Sequence, residues 1–302
     1  MPTVADILSQ GWKVHQAGKI DDALRVYQHV IRQAPRSPEA HVYLGIALFD
    51  RRCYEESADA YRTAIALKQD FPIAWNNLGN SLRMIGNVDE SDRCFEQALS
   101  RDPYYLSVFK NRGTLWSWAG EIERGLSWYE RGLEIAPKDA ELHRNLGVIY
   151  LLLGDYERGW PEYRWRWHMS GMRRPNCAGQ LWTGQAISGR SILLYPEQGR
   201  GDEMQFIRMA SILAGAGARV VVQCDQQMIP LFTSVRGVQS LLPTGTRLPA
   251  VDFQAAFFDA VDGWFQMTGE LPYGNQCFHS NGSTDDRQHS GYLNVSDQLV
   301  AY

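Results

Sequence analysis

Three asparagines fall at one fixed step in this chain: Asn77, Asn111 and Asn145, each 34 residues from the next. A carboxamide offers an acceptor and two donors, so a row of them can pair with an extended peptide backbone without reading its side chains. Asn76, Asn80, Arg83, Lys110 and Arg144 are neighbouring candidates for the same surface. Toward the N-terminus the row is interrupted, because Tyr43 and Ser9 hold the equivalent places. The competing use of each asparagine is a bond to the adjacent helix or to solvent. A second group with chemistry is Gly199-Arg200-Gly201-Asp202, followed by Gln205. Glycines let a ligand approach the backbone, and free amides at a helix start attract anions. Asp202 and Gln205 also match a capping box, worth roughly 1 kcal/mol to a helix by itself.

The asparagines ride on a repeat. Gly11, Gly45, Gly79, Gly113 and Gly147 share the 34-residue step, and sixteen residues on it picks out Tyr27, Tyr61, Phe95, Tyr129 and Tyr163. Small residues recur at Ala23, Ser57, Ser91, Gly125 and Gly159. Glycine is only 27 of 302 residues, so five hits in five at one period are not chance. A period of this length means stacked units, each hiding its apolar face only against its neighbours. The phase gives units at about 4–37, 38–71, 72–105, 106–139 and 140–170. The repeated glycine lies on the first helix of each unit, where the second crosses too closely for a Cβ. Gly18, Gly86, Gly120 and Gly154 close the first helix in a left-handed conformation. Unit two has Arg52 there, so that turn is expected to be strained. Pro35, Pro103 and Pro137 stop the second helix, with Gln69 the exception. The first unit is the least regular, with Ile7 and Gln10 at its apolar positions, as a cap would be.

This pattern resembles the tetratricopeptide repeat, a helix–turn–helix of 34 residues, from residue 4 to about residue 170. The resemblance implies an α-solenoid with first helices on the concave wall of a right-handed superhelix, and a protein or peptide in its groove. The asparagines are similar to the ladder of O-GlcNAc transferase repeats. At the end of the array, Trp160, Trp165 and Trp167 load one helix with aromatic area. Such a helix either docks on another domain or caps the array.

Residues 171–190 read as a linker. The period then changes. Ser191 to Tyr195 is a short apolar run, Met204, Phe206, Ile207, Ala210 and Leu213 keep helical spacing, and Arg219 to Val222 is β-branched and continuous. A helix from Gln226 to Val235, a strand from Val238 to Leu242 and an apolar run at 253–258 follow. Alternation at these lengths implies right-handed crossovers and a parallel sheet, a Rossmann-like half over 191–260, with 261–302 an irregular tail.

Gly159-Trp160, Tyr163 to Trp167, Trp182-Thr183-Gly184, Gly189 to Leu194, Glu197 to Asp202 with Gln205-Phe206, and Gly217 to Val220 carry a second resemblance. Together they look like bacterial proteins in which tetratricopeptide repeats precede a glycosyltransferase-like domain of the two-Rossmann (GT-B) type. Tyr292-Leu293 and the residues to 302 are similar to a later piece of that domain. The resemblance implies Asp202 as general base toward an acceptor hydroxyl, as in heptosyltransferase-type enzymes, with Gly199, Arg200, Gly201 and Gln205 forming the acceptor or phosphate loop. Residues 259–302 hold little periodicity and cannot supply the second parallel sheet that would bind a nucleotide-sugar. Two readings follow. One is a scaffold whose glycosyltransferase-like half is truncated or degenerate. The other is a fragment of an active glycosyltransferase, its donor domain supplied from elsewhere.

Asp285 and Asp286 sit in a Ser-Asn-Gly-Ser context and read as a solvated loop, so no metal or cofactor is expected. A net charge of -4 and a pI near 6.0 give no pull toward nucleic acid or anionic membrane. No segment approaches the roughly 20 apolar residues that span a bilayer. The N-terminus shows no secretory pattern. The cysteines Cys53, Cys94, Cys177, Cys224 and Cys277 are scattered without metal spacing, which fits a reducing compartment, the cytoplasm by default.

Overall fold

A computed structural model of the chain describes residues 2–197 and 199–272. Asp285, Asp286, Cys277 and the segment 292–302 lie outside the described residues. The chain divides into two compact units, Met1–Met169 and Ser170–Tyr302.

The first unit is a row of helix pairs. The first helices are α1 (Val4–Gln16), α3 (Pro38–Asp50), α5 (Pro72–Met84), α7 (Leu106–Trp118) and α9 (Ala140–Leu152). Their partners are α2 (Ile20–Gln33), α4 (Tyr54–Leu67), α6 (Val88–Arg101), α8 (Ile122–Ile135) and α10 (Tyr156–Tyr163). Every start is displaced by the sequence period. The glycines explain the pairing: a Cβ on Gly45 would lie 2.7 Å from the Tyr61 ring, and one on Gly79 2.6 Å from Phe95. The aromatic of the second helix therefore passes directly beneath the first. In unit three the small residue adds a bond, since Ser91 Oγ donates to the Gly79 carbonyl at 2.7 Å. Arg52 has φ 66°, the left-handed conformation that the other units give to glycine. At Gln69 the helix α4 stops at Leu67 without a proline. The Gln69 carbonyl accepts from Trp75 Nε1 at 3.0 Å and Arg101 Nε at 2.8 Å, which fixes the turn another way.

Units three and four are joined by a feature the repeat pattern does not predict. Where other first helices carry Leu44, Leu78 and Leu146, α7 carries Arg112, only 5% exposed. It donates through Nε and Nη2 to Asp92 of α6 at 2.5 and 2.7 Å, and to Glu96 at 2.8 Å. Asp92 also accepts from Trp116 Nε1 at 3.1 Å. Beyond α10, a short 3-10 helix (Arg164–His168) lies on α9, with the Trp165 ring stacked on His143 at 4.1 Å.

The second unit is built on five parallel strands: β1 (Gln180–Leu181), β2 (Ser191–Tyr195), β3 (Arg219–Cys224), β4 (Val238–Pro243) and β5 (Phe253–Ala256). Their order is β1-β5-β2-β3-β4. Ile192, Leu193, Leu194, Val220 and Val222 are fully buried, as continuous apolar strands covered on both faces must be. Helices α11 (Arg200–Phe206) and α12 (Arg208–Gly215) connect β2 to β3. The expected linker contributes β1 at the sheet edge. Within it Trp182, 1% exposed, packs on Gly263 so closely that a Cβ there would stand 2.7 Å from its ring.

Two elements differ from the sequence reading. The helix expected over 226–235 is a 3-10 turn (Gln226–Met228) and the four-residue α13 (Ile229–Phe232), with Pro230 in its first turn. Residues 244–252 cross from β4 to β5 as a loop. The run at 253–258 is the whole of β5 and a helix start, and α14 (Phe257–Thr268) extends beyond residue 260 to a left-handed Gly269, φ 74°.

Candidate functional site

Along the row, each first helix touches the next: α1 with α3, α3 with α5, α5 with α7, and α7 with α9. This wall carries the candidate asparagines. Asn77, Asn111 and Asn145 are half-exposed, whereas Asn76 is buried. Asn111 Nδ2 donates to Asn76 Oδ1 at 2.9 Å, from α7 to α5, and Asn76 Nδ2 donates to Asn77 Oδ1 at 3.0 Å. Asn145 Oδ1 accepts from Arg144 Nη2 at 2.6 Å. Asn76 is thus a brace behind the wall. The outer carboxamides are held in place with part of their capacity unspent, because each has two donor hydrogens and two lone pairs.

Asn77 and Asn80 line a hollow of about 280 Å³ with Ile46, Phe49 and Tyr61. The Tyr61 hydroxyl is pushed up by burial, with hydrogen bonds to Ser57 and Asn77 opposing the shift. Asn80 Oδ1 is buried there without a hydrogen-bond partner. Arg83, on the same wall, lays its guanidinium over the exposed Trp118 ring, 4.7 Å from the centroid. Lys110 is already ion-paired. Its Nζ is clamped 2.8 Å from both Asp139 and Glu141. Burial works against the charge on Lys110, but those two carboxylates hold its ammonium above the ordinary lysine range.

In the second unit the Gly-Arg-Gly-Asp segment follows β2 and opens α11. The expected capping box is not formed. Gly199 is the N-cap residue and offers no side chain, and Asp202 falls in the first turn. The Asp202 side chain is half-exposed and makes no hydrogen bond among the described residues. Arg200 is spoken for, with Nε and Nη2 bound to Asp225 Oδ2 at 3.2 and 3.0 Å. Gly199, Gly201 and Gln205 are exposed.

The buried carboxyl of this corner is Glu203, 4% exposed, which the sequence reading passed over. Burial pushes its pKa up, with the Asp225 N–H bond opposing. Met204, expected on the packed face, is 41% exposed, and Glu203 takes the inward position. The two positions differ by one residue, about 100° around the helix. At the carboxyl end of β2, the Tyr195 hydroxyl is held up by burial and by Asp259 of α14, against Arg174. Arg174 stands 4.0 Å from Asp259. No sequence signal marked this trio, because its members come from the expected linker, a strand and a helix start. A hollow of about 800 Å³ lies beside Gln223, Thr244, Arg247 and Cys177, and none of Gly199, Arg200, Gly201, Asp202 or Gln205 lines it. Among the described residues no cluster of metal-ligating side chains occurs, and no helix is long and apolar enough to cross a membrane.

Comparison with known proteins accords with the helical row. Tetratricopeptide-repeat family models match residues 15–72, 72–105 and 128–160. No curated protein matches the chain. A thermophilic TPR protein of Thermus thermophilus is similar with TM-score 0.51 and 16% identity, over 56% of this chain and 92% of that one. PilF of Pseudomonas aeruginosa matches with TM-score 0.50 and 18% identity, over 56% and 78%. A chain of the APC/C hetero-tetramer Cut9-Hcn1 matches with TM-score 0.52 and 17% identity, over 57% and 34%. At such identities the likeness shows the fold alone. The helical row of this chain is a tetratricopeptide-repeat solenoid.

Proposed function

We propose that the solenoid is a scaffold that binds an extended peptide segment of a protein partner along the wall formed by α5, α7 and α9. The observation that carries this reading is the braced row of half-exposed carboxamides at Asn77, Asn111 and Asn145, ordered before any ligand arrives. Preorganised donors and acceptors reduce the ordering cost of binding. The test is an uncharged probe, an amide-capped octapeptide of alternating Gly and Gln, titrated against the full chain and a variant with all three asparagines changed to Ala. The account expects roughly tenfold weaker binding in the variant, about the worth of one or two hydrogen bonds. Unchanged affinity with an intact fold would remove the idea.

A second reading, glycosyl transfer, is favoured by one feature. Asp202 stands with an unengaged carboxylate just past β2, on the edge where open parallel sheets hold ligands. On this reading the α/β unit is a Rossmann-like, GT-B-type acceptor half. Asp202 takes the proton of an acceptor hydroxyl, and a nucleotide-sugar is bound only with a donor domain. Titration with uridine diphosphate tests the scaffold reading: a glycosyltransferase-like fold without turnover predicts no saturable binding, so a clear isotherm counts against the scaffold.

A further inference from the structure

The peptide wall carries charge that the rest of the solenoid does not answer. Most arginines of the first unit that approach a carboxylate are paired: Arg25 with Asp22, Arg51 with Asp21, Arg62 with Asp59 and Glu90, Arg112 with Asp92, and Arg158 with Asp155. Arg93, Arg101 and Arg131 likewise have no carboxylate partner among the described residues, but Arg83 and Arg144 are set apart by burial. Both are half-buried on the wall, and both have a buried Nε without a partner. Among the described residues no carboxylate lies within ion-pair range of either. Among the described residues the one side-chain hydrogen bond Arg144 makes is to the neutral Asn145 carboxamide.

The two arginines converge. Arg83 belongs to α5 and Arg144 to α9, the helices that flank α7. Tyr129 packs under Gly113 of α7, and its hydroxyl bonds Thr114 Oγ1 at 3.0 Å on the same wall. Both guanidinium charges act on that hydroxyl, opposing the upward push of burial. Burial also pulls the Arg83 guanidinium below its ordinary range. A partly desolvated cation without a counter-ion is costly, and its cost is relieved when a ligand supplies the anion.

We propose that this part of the groove recognises an acidic stretch of the partner, with side-chain carboxylates of the extended peptide seated on Arg83 and Arg144 on either side of Tyr129. The inference rests on the peptide-groove reading and gives that groove its specificity. Arginine forks suit carboxylates, and the exposed Trp118 ring under Arg83 holds one fork in place. Eight extended residues span about 26 Å. That is enough to cross three helices spaced at roughly 8–10 Å.

The experiment uses two amide-capped octapeptides labelled with tetramethylrhodamine, one alternating Gly and Glu and the other Gly and Gln. Each is titrated with the full chain by fluorescence anisotropy. The Glu peptide is expected to bind about tenfold tighter at low salt, with the gap narrowing as salt rises. Arg83→Gln and Arg144→Gln should each weaken the Glu peptide about fivefold and remove most of its advantage over the Gln peptide, with Arg144→Gln also loosening the Gln peptide slightly because it frees Asn145. Arg83→Lys should retain part of the preference. Lys110→Gln, at a cation already paired with Asp139 and Glu141, should change nothing. Equal affinity for the two peptides overturns the acidic preference and leaves the groove reading standing. Glu preference that survives both arginine changes overturns the assignment of these residues. If neither peptide binds, both the inference and the groove reading fall.

Discussion

Asp92 and Arg112 form the sharpest test of how this solenoid is held together. Their side chains are 12% and 6% exposed, and they join α6 to α7 where another unit uses Ala58 and Leu78, the same twenty residues apart. Asp92→Ala strands a buried guanidinium. It retains Glu96, itself 57% exposed, and the face of the Trp128 ring, while Trp116 Nε1 loses its acceptor. Breaking a buried pair from one side costs about 3–5 kcal/mol, and the wet Glu96 contact lowers that to about 3. Arg112→Leu leaves Asp92 with Trp116 and Arg124, so about 2 kcal/mol is expected. The double variant D92A/R112L copies the apolar pair of the earlier unit and should fall within about 1 kcal/mol of the parent. The assay is urea unfolding of all four proteins, followed by circular dichroism. The reasoning requires a favourable coupling of at least about 2 kcal/mol. If the double variant loses the sum of the two single losses, the pair is not the unit that the geometry says it is.

Other consequences are simpler. Arg52→Gly should raise the urea midpoint by the equivalent of roughly 0.5–1 kcal/mol, since φ 66° costs a side chain and not a glycine. Gly79→Ala should lower stability by about 1–2 kcal/mol despite the better helix propensity of alanine, because the new Cβ would meet Phe95 at 2.6 Å. In the second unit, Asp252 accepts from Ser191 N and Oγ at 2.7 Å each, and these bonds hold its carboxyl down at about 2. A depressed carboxyl stabilises the fold above its unfolded value near 4 and loses that effect as pH falls through about 2. Asp252→Asn should therefore be less stable than the parent at pH 5 and above, with the difference shrinking between pH 4 and pH 2. A difference that stays constant over that range would contradict the assignment.

The solenoid was legible because one spacing answers several demands at once. The glycine, the aromatic sixteen residues later and the left-handed turn glycine each solve a different steric problem in the same unit. The row of asparagines could be placed on one wall for the same reason. Their state of bonding could not be read, since it depends on a contact between neighbouring helices, Asn111 Nδ2 to Asn76 Oδ1. Lys110 resembled a groove residue until Asp139 and Glu141, about thirty residues on, claimed it. Arg112 and Asp92 each looked like an isolated departure from the repeat, and only their contact turns two departures into one feature. In the α/β unit the apolar runs of β2 and β3 announced a parallel sheet. The helix phase at 203–204 was ambiguous, because Glu203 and Met204 can each be turned inward and the sheet's corner, not the local pattern, selects the glutamate.

The measurement that bears most directly on the account is two-dimensional NMR of the full chain with labelled asparagine and arginine side chains, titrated with the Gly-Glu octapeptide. The account predicts that the carboxamide signals of Asn77, Asn111 and Asn145 shift together along one saturable curve, accompanied by the Arg83 and Arg144 Nε–H signals. Saturable binding that leaves all three carboxamides unmoved would place the peptide elsewhere and contradict the account.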